Sequence, residues 1–265
     1  MRIALSVAYD GSAYHGWQLQ GALPTVQQAI EQALTQVAAH PVTVTASGRT
    51  DRGVHALGQV LHFDTTANRS ERGWVLGSNK ALTPDIRVLW AKPVSAHFHA
   101  RFSATARHYR YAVHQQSILL PWFRRYALCC WKPLNIVQMQ RAAQYLLGEH
   151  DFSAFRAASC QSKSAVRQVT RLTVTRDLPW VWIDIGANAF LHHMVRNIVG
   201  VLIEVGEGKR PAATISTLLA NRDRKQAAAT AQARGLYLRQ VDYPPEFELP
   251  SVQAASLLLG LPSVF

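Results

Sequence analysis

Residues 42–64 read VTVTASGRTDRGVHALGQVLHFD. Two runs rich in β-branched and apolar residues, VTVTA (42–46) and ALGQVLHFD (56–64), bracket a polar, glycine-bounded segment, the pattern of two strands joined by a loop. That loop sets a single carboxylate, Asp51, between Arg49 and Arg52, with Gly48 and Gly53 just outside. Two readings are open at this point. In one, arginine and aspartate merely neutralise one another in a solvated, salt-bridged turn. In the other, the neighbouring guanidinium groups favour the ionised carboxylate and keep it available as a charged nucleophile, base or electrostatic stabiliser.

The flanking sequence completes a folding unit. Ile3 to Tyr9 alternates as a strand, and Thr25 caps a helix whose Val26, Ala29, Ile30, Ala33, Leu34 and Val37 follow the 3.6-residue period. A helix over 71–82 and a strand over 86–94 complete a βαββαβ unit. The pattern then restarts. TARHYRYAVH (105–114) is a strand, Asn135 caps a helix running to Leu147, and RQVTRLTVTRD (167–177) and WVWIDIGAN (180–188) are adjacent strands with Leu178-Pro179 at their turn. A very apolar helix over 191–205, a short one over 211–220 and a strand over 235–243 follow. The expected fold class is α+β: two similar α/β-sandwich halves of ferredoxin or RRM type, with mainly antiparallel sheets forming a basic central cleft. The expected division is 1–100, carrying the Asp51 loop; 101–245, carrying Tyr109 and Arg196; and a C-terminal tail, 246–265, packed loosely or as a short helix.

Composition narrows the function. Twenty-eight basic against sixteen acidic residues give a net charge of +12 over 265 residues, and the basic set is twenty-two Arg to six Lys. Guanidinium groups bind phosphate through paired hydrogen bonds and stack on base faces, so a nucleic acid is the expected partner. The longest apolar stretch, 189–205, is interrupted by His192, His193, Arg196 and Asn197, which excludes a membrane span of the usual kind. The N-terminus is an alternating strand rather than a signal peptide, and Cys129, Cys130 and Cys160 are too few for a disulfide framework or a four-cysteine zinc site. A cytoplasmic protein is expected.

The sequence lacks a Walker-type phosphate loop, G-x-G-x-x-G, H-E-x-x-H and G-x-S-x-G. No other acidic residue lies within ten positions of Asp51, whereas two-metal chemistry wants clustered carboxylates. No metal and no cofactor are expected. In RHYRY (107–111), strand alternation puts Arg107, Tyr109 and Tyr111 on one face and His108 and Arg110 on the other; a tyrosine among arginines suits stacking on a flipped base, and ordinary strand packing is the alternative. Along the apolar helix His193, Arg196, Asn197 and Gly200 share a stripe. An arginine there needs a partner; Asp51, a structural carboxylate and a backbone carbonyl are the candidates. His192 and His193 complete no metal set and are structural or RNA-facing.

Taken together, the ordered segments YDGSAYHGWQLQ, GRTDRGVHALGQV, NKALTPDIRV, ARHYRYAV, GEHDFSAFR, NAFLHHMVRNIVG and GLYL resemble the tRNA pseudouridine synthase A family over residues 2 to about 243. The resemblance implies isomerisation of uridine to pseudouridine in the anticodon stem-loop of tRNA, at positions 38, 39 and 40, without a cofactor and by a homodimer. It gives Asp51 the role of catalytic aspartate and Tyr109 that of the tyrosine stacked on the target uracil. Arg196 corresponds to an arginine that pairs with the aspartate, and Leu236 to an apolar residue supporting the tyrosine. Arg49 and His55 correspond to loop residues that contact RNA or support the loop. Tyr9, Gly11, Tyr14, His15 and Trp17 match motif residues of the first turn that carry no definite chemical role.

Overall fold

The computed structural model describes residues 1–118 and 120–250, so most of the tail expected over 246–265 lies outside the described residues. In chain order the elements are β1 (Arg2–Tyr9), α1 (Val26–Ala38), β2 (Thr45–Ala46), β3 (His55–Asp64), α2 (Glu71–Ala81), β4 (Ile86–Val94), β5 (Ala106–His114), β6 (Leu128–Cys129), α3 (Ile136–Gln144), β7 (Gly148–Asp151), β8 (Val166–Asp177), β9 (Trp180–Ala187), α4 (Met194–Gly206), α5 (Thr214–Asn221) and β10 (Leu236–Asp242). Helices and mainly antiparallel strands are mixed, as the α+β reading requires. The chain divides into two units, residues 1–105 with 237 onward, and residues 106–236.

Strand β10, expected within the 101–245 part, groups with the first unit. There Tyr237 and Leu238 pair in parallel with His55 and Ala56 of β3. Local periodicity identifies a strand but carries no information about a partner some 180 residues away.

In the first unit the order is β4-β1-β3-β10, with β2 hydrogen-bonded to β3. Strand alternation sends Ile3, Leu5 and Val7 to the face where Phe63 meets Trp74 of α2 edge-on at 5.1 Å, and all five side chains are fully or almost fully buried. The expected cap of α1 is present, the Thr25 hydroxyl accepting from Gln28 N at 3.3 Å, and Ser70 caps α2 by accepting from Gly73 N. The strand expected over 42–46 shrinks to two residues because α1 takes its backbone donors: Val42 N–H bonds to the Thr35 hydroxyl and Val44 N–H to the Glu31 carboxylate.

On the opposite face His62, 5 % exposed, accepts from Ala100 N–H through Nδ1. Burial, helped by the Arg2 guanidinium, pushes its pKa down to about 4. A histidine held neutral in this way takes up its proton more readily when unfolded, so its contribution is complete above the ordinary value of about 6.5 and is lost as pH falls from there toward 4. The cost is at most about 1.4 kcal/mol per pH unit across that window. His62→Asn keeps an acceptor for Ala100 and does not titrate. Urea unfolding at pH 7 and pH 4.5 is expected to show a smaller loss for the variant than for the parent; equal losses would remove His62 from the account.

The second unit orders its strands β5-β9-β8-β7, with β6 parallel to the end of β5. Leu172, Val174, Ile183 and Ile185 are buried on one face of the sheet; α3 packs against β8, and α4 packs against α3. Asn135 caps α3 as expected, accepting from Gln138 N at 3.1 Å. Helix α4 begins at Met194 rather than 191, because His193 adopts a left-handed φ of 62° that interrupts the helix.

Candidate active site

The Asp51 loop is gripped on both sides of the carboxylate. Before it, Thr50 is 7 % exposed; its carbonyl accepts from Trp17 N–H at 3.0 Å, and its hydroxyl is hydrogen-bonded to that of buried Tyr9 at 2.9 Å. After it, Val54 N–H donates to the Asp51 carbonyl at 3.1 Å, a turn that Gly53 closes with φ 76°. Gly11 then lies so close that a Cβ there would stand 2.0 Å from the Val54 carbonyl oxygen, and its N–H donates to His55 Nδ1 at 3.2 Å. Gly16, at φ 93°, also passes close to Thr50, its would-be Cβ 2.7 Å from the Thr50 oxygen.

The segment YDGSAYHGW therefore has a definite job, which the sequence alone left open: it is the cradle of the loop. NKALTPDIRV supports the cradle in turn. Asn79 bonds to both the N–H and the carbonyl of Val88, the Tyr14 and Thr83 hydroxyls meet at 2.9 Å, and Asp10 N–H donates to Asp85 O.

Within this frame Asp51 is half-buried, whereas Arg49 and Arg52 are exposed. Among the described residues neither arginine forms an ion pair with Asp51, so the salt-bridged turn is not what the sequence folds into. His55 is 2 % exposed and stacks on Tyr237 at 4.8 Å and 21°, with Asp10 Oδ1 3.1 Å from its Nδ1. Of the two roles open to it, RNA contact or loop support, burial fits the second.

The second unit carries Tyr109, Arg196 and Leu236. Tyr109 is half-buried on β5 and meets Phe190 edge-on at 5.1 Å. Its same-face neighbour Tyr111 is a core residue: fully buried, its hydroxyl donating to Gln232 O at 2.8 Å, its phenol pushed up by burial. Leu236 is 5 % exposed and follows Gly235, which lies against the Tyr111 ring and the Ala112 carbonyl. On the other face of β5, Arg110 makes a two-pronged ion pair with Asp184 at 2.7 and 2.9 Å, and its guanidinium lies 5.4 Å from the centre of the Trp182 ring.

The α4 stripe meets the segment before β10. Arg196 Nε donates to Ala231 O at 2.8 Å, so a backbone carbonyl is one of its partners. Asn197 Oδ1 accepts from Thr230 and Arg224 while Nδ2 donates to Phe155 O, and Gly200 leaves room for the Ala229 carbonyl. GEHDFSAFR thus serves to hold α4.

Comparison with known proteins decides what this arrangement belongs to. The profile of the family described as tRNA pseudouridine synthase matches residues 5–103 and 142–244. The chain belongs to the tRNA pseudouridine synthase family. It is 52 % identical over 258 residues to the tRNA pseudouridine synthase A of Coxiella burnetii, covering 97 % of this chain and 99 % of that one. It is equally identical over 259 residues to the enzyme of the same name from Escherichia fergusonii, covering 98 % and 96 %. Among solved structures, a chain of a Cbf5-Nop10-Gar1 complex aligns with a TM-score of 0.32 at 10 % identity, over 76 % of this chain and 54 % of that one, a likeness too loose to bear on the site. For this synthase the matched family segments include the Asp51 loop with its cradle, Tyr109's strand excepted.

Proposed function

We propose that this chain isomerises uridine to pseudouridine in the anticodon stem-loop of tRNA, at positions 38, 39 and 40, with Asp51 as its catalytic group. The observation that carries this reading is the gripped loop, which holds one half-buried carboxylate between Thr50 and Val54. Family membership supplies the reaction class.

The reaction is atom-balanced within the substrate. The N1–C1′ bond breaks, the uracil turns, C5 bonds to C1′, the C5 proton leaves and N1 takes one up. Breaking N1–C1′ calls for an anionic oxygen, whether it attacks C1′, attacks the uracil ring or removes a ribose proton, and a fixed carboxylate serves each route. Tyr109 is assigned to stacking on the extruded uracil and to proton exchange at C5, offsetting the few kcal/mol that base extrusion costs. Arg196 and Leu236 are assigned to substrate binding and to support of Tyr109. Exposed Arg49 is assigned to RNA phosphate, and the excess of arginine over the whole chain to recognition of tRNA shape and backbone. The family resemblance supports a cytoplasmic homodimer.

The test is a set of unmodified tRNA transcripts in which uridine at 38, 39 or 40 is replaced by cytidine one at a time. Incubated with the purified protein and digested to nucleosides, each is expected to lose the pseudouridine of its replaced position and keep the others. Free uracil in place of pseudouridine would make the protein a glycosidase, and unchanged uridine would leave it a binder of RNA.

A further inference from the structure

We infer that Tyr9 is a positioning residue for the isomerisation, acting on Asp51 through the Thr50 hydroxyl. The inference rests on Asp51 being the catalytic carboxylate. Tyr9 closes β1 and is 4 % exposed, yet its hydroxyl is not spent on the core: it is hydrogen-bonded to Thr50 Oγ1 at 2.9 Å, one residue from Asp51. Thr50 has two handles, and both are held. Its carbonyl is fixed by Trp17 N–H, which sets where the peptide lies, and its side chain is fixed by Tyr9, which sets how that peptide is rotated. With the carbonyl of Asp51 also held, by Val54 N–H, the peptides on both sides of the Asp51 Cα are fixed, and Tyr9 controls the one on the Thr50 side.

The surroundings make the tyrosine rigid enough for this. Its ring lies 6.1 Å from that of Trp17, and its backbone pairs with Ala56 of β3 and Ile86 of β4, so the hydroxyl is delivered from a three-stranded anchor. A buried hydroxyl pair in such a place is more than packing requires, because phenylalanine and valine would fill the same space without demanding a partner.

Displacing a reacting group by about 1 Å costs on the order of 100-fold in rate. Tyr9→Phe and Thr50→Val, each lacking one hydroxyl, are therefore expected to lower kcat by about 10- to 100-fold. The Kd for tRNA should stay within about twofold, since neither side chain carries RNA affinity in this account, while the melting temperature falls by a few degrees because each single variant leaves one buried hydroxyl without its partner. Thr50→Ser restores the hydroxyl and recovers most of the rate lost in Thr50→Val. The double variant Tyr9→Phe/Thr50→Val is no slower than the slower single variant, because both remove the same bond. Rates within twofold of the parent for both single variants, multiplicative losses in the double variant, or loss of rate only in step with loss of tRNA affinity would each overturn the inference. Should Tyr9→Phe not fold, the comparison of Thr50→Val with Thr50→Ser decides alone. Asp51→Asn is run beside them: if it retains activity, the catalytic assignment fails, whereas an inactive Asp51→Asn with a fully active Tyr9→Phe refutes the positioning role only.

Discussion

Asp51→Asn is expected to bind tRNA as the parent does and to leave it unmodified. The expected loss in kcat is at least about four orders of magnitude, or roughly 5 kcal/mol of barrier at 1.36 kcal/mol per tenfold, while the Kd for tRNA changes by no more than about threefold. The separation follows from where the group sits. Asp51 is half-buried in a loop whose shape is set by backbone and hydroxyl contacts on either side, at Thr50, Val54, Gly11 and Gly16. The cradle grips the loop through backbone groups and the Thr50 hydroxyl, so an amide of the same size is expected to leave the loop in place while removing the anionic oxygen on which the proposed chemistry depends. An anion also contributes nothing attractive toward a polyanionic ligand, so its removal does not weaken binding. Equal losses in binding and turnover would mean that Asp51 shapes the RNA site instead of acting in it.

The largest stability effect is expected one residue from Tyr109, on the opposite face of the same strand. Arg110 and Asp184 face each other across β5 and β9, their side chains each 12 % exposed, joined by two hydrogen bonds and capped by Trp182. Removing one partner from a buried pair leaves an uncompensated charge, which costs about 3–5 kcal/mol. Arg110→Met, which keeps most of the packing over Trp182, is accordingly expected to lower the unfolding free energy by about 3 kcal/mol in urea titrations at neutral pH. Arg110→Met/Asp184→Leu recovers a large part of that, because replacing both charges by apolar groups is close to neutral. If the single variant unfolds with the parent, the ion pair is an ornament of the surface. Within RHYRY, then, Tyr109 is assigned to substrate, its same-face neighbour Tyr111 is core, and Arg110 on the other face is bracing.

Much of this was legible in the residues. The 3.6-residue period with Thr25 and Asn135 as caps located α1 and α3, because local hydrogen bonding decides helix starts. Alternation located β1, β3, β4, β5, β8 and β9. What escaped depends on partners distant in sequence. The strand at 42–46 was cut short by Glu31 and Thr35 side chains competing for its donors. The short polar strand β7, GEHD, has no apolar period to announce it and exists by pairing with β8. The return of β10 to the first unit is a parallel pairing that no local pattern encodes.

The site shows the same limit. The Asp51 loop was conspicuous by charge, yet charge pointed to arginines as its organisers, whereas glycines, a tyrosine and a threonine do that work. A glycine needed for a 2.0 Å approach looks in sequence like any turn glycine. The available signal was the coincidence of Gly11, Gly16 and an aromatic segment in the turn that follows β1. Likewise the stripe on α4 was visible as a periodicity, but that Asn197 and Gly200 seat the 228–231 segment rather than face a ligand required the fold.

The most direct test of the account is a single-turnover experiment with tRNA tritiated at uridine C5 and protein in excess over its Kd. Formation of the C5–C1′ bond must expel the C5 hydrogen, so tritium release reports the chemical step after binding is complete. The parent is expected to release one tritium for each uridine isomerised, and Asp51→Asn, with its tRNA fully bound, to release none. Release from the bound Asp51→Asn complex at a rate near that of the parent would contradict the claim that this carboxylate performs the reaction.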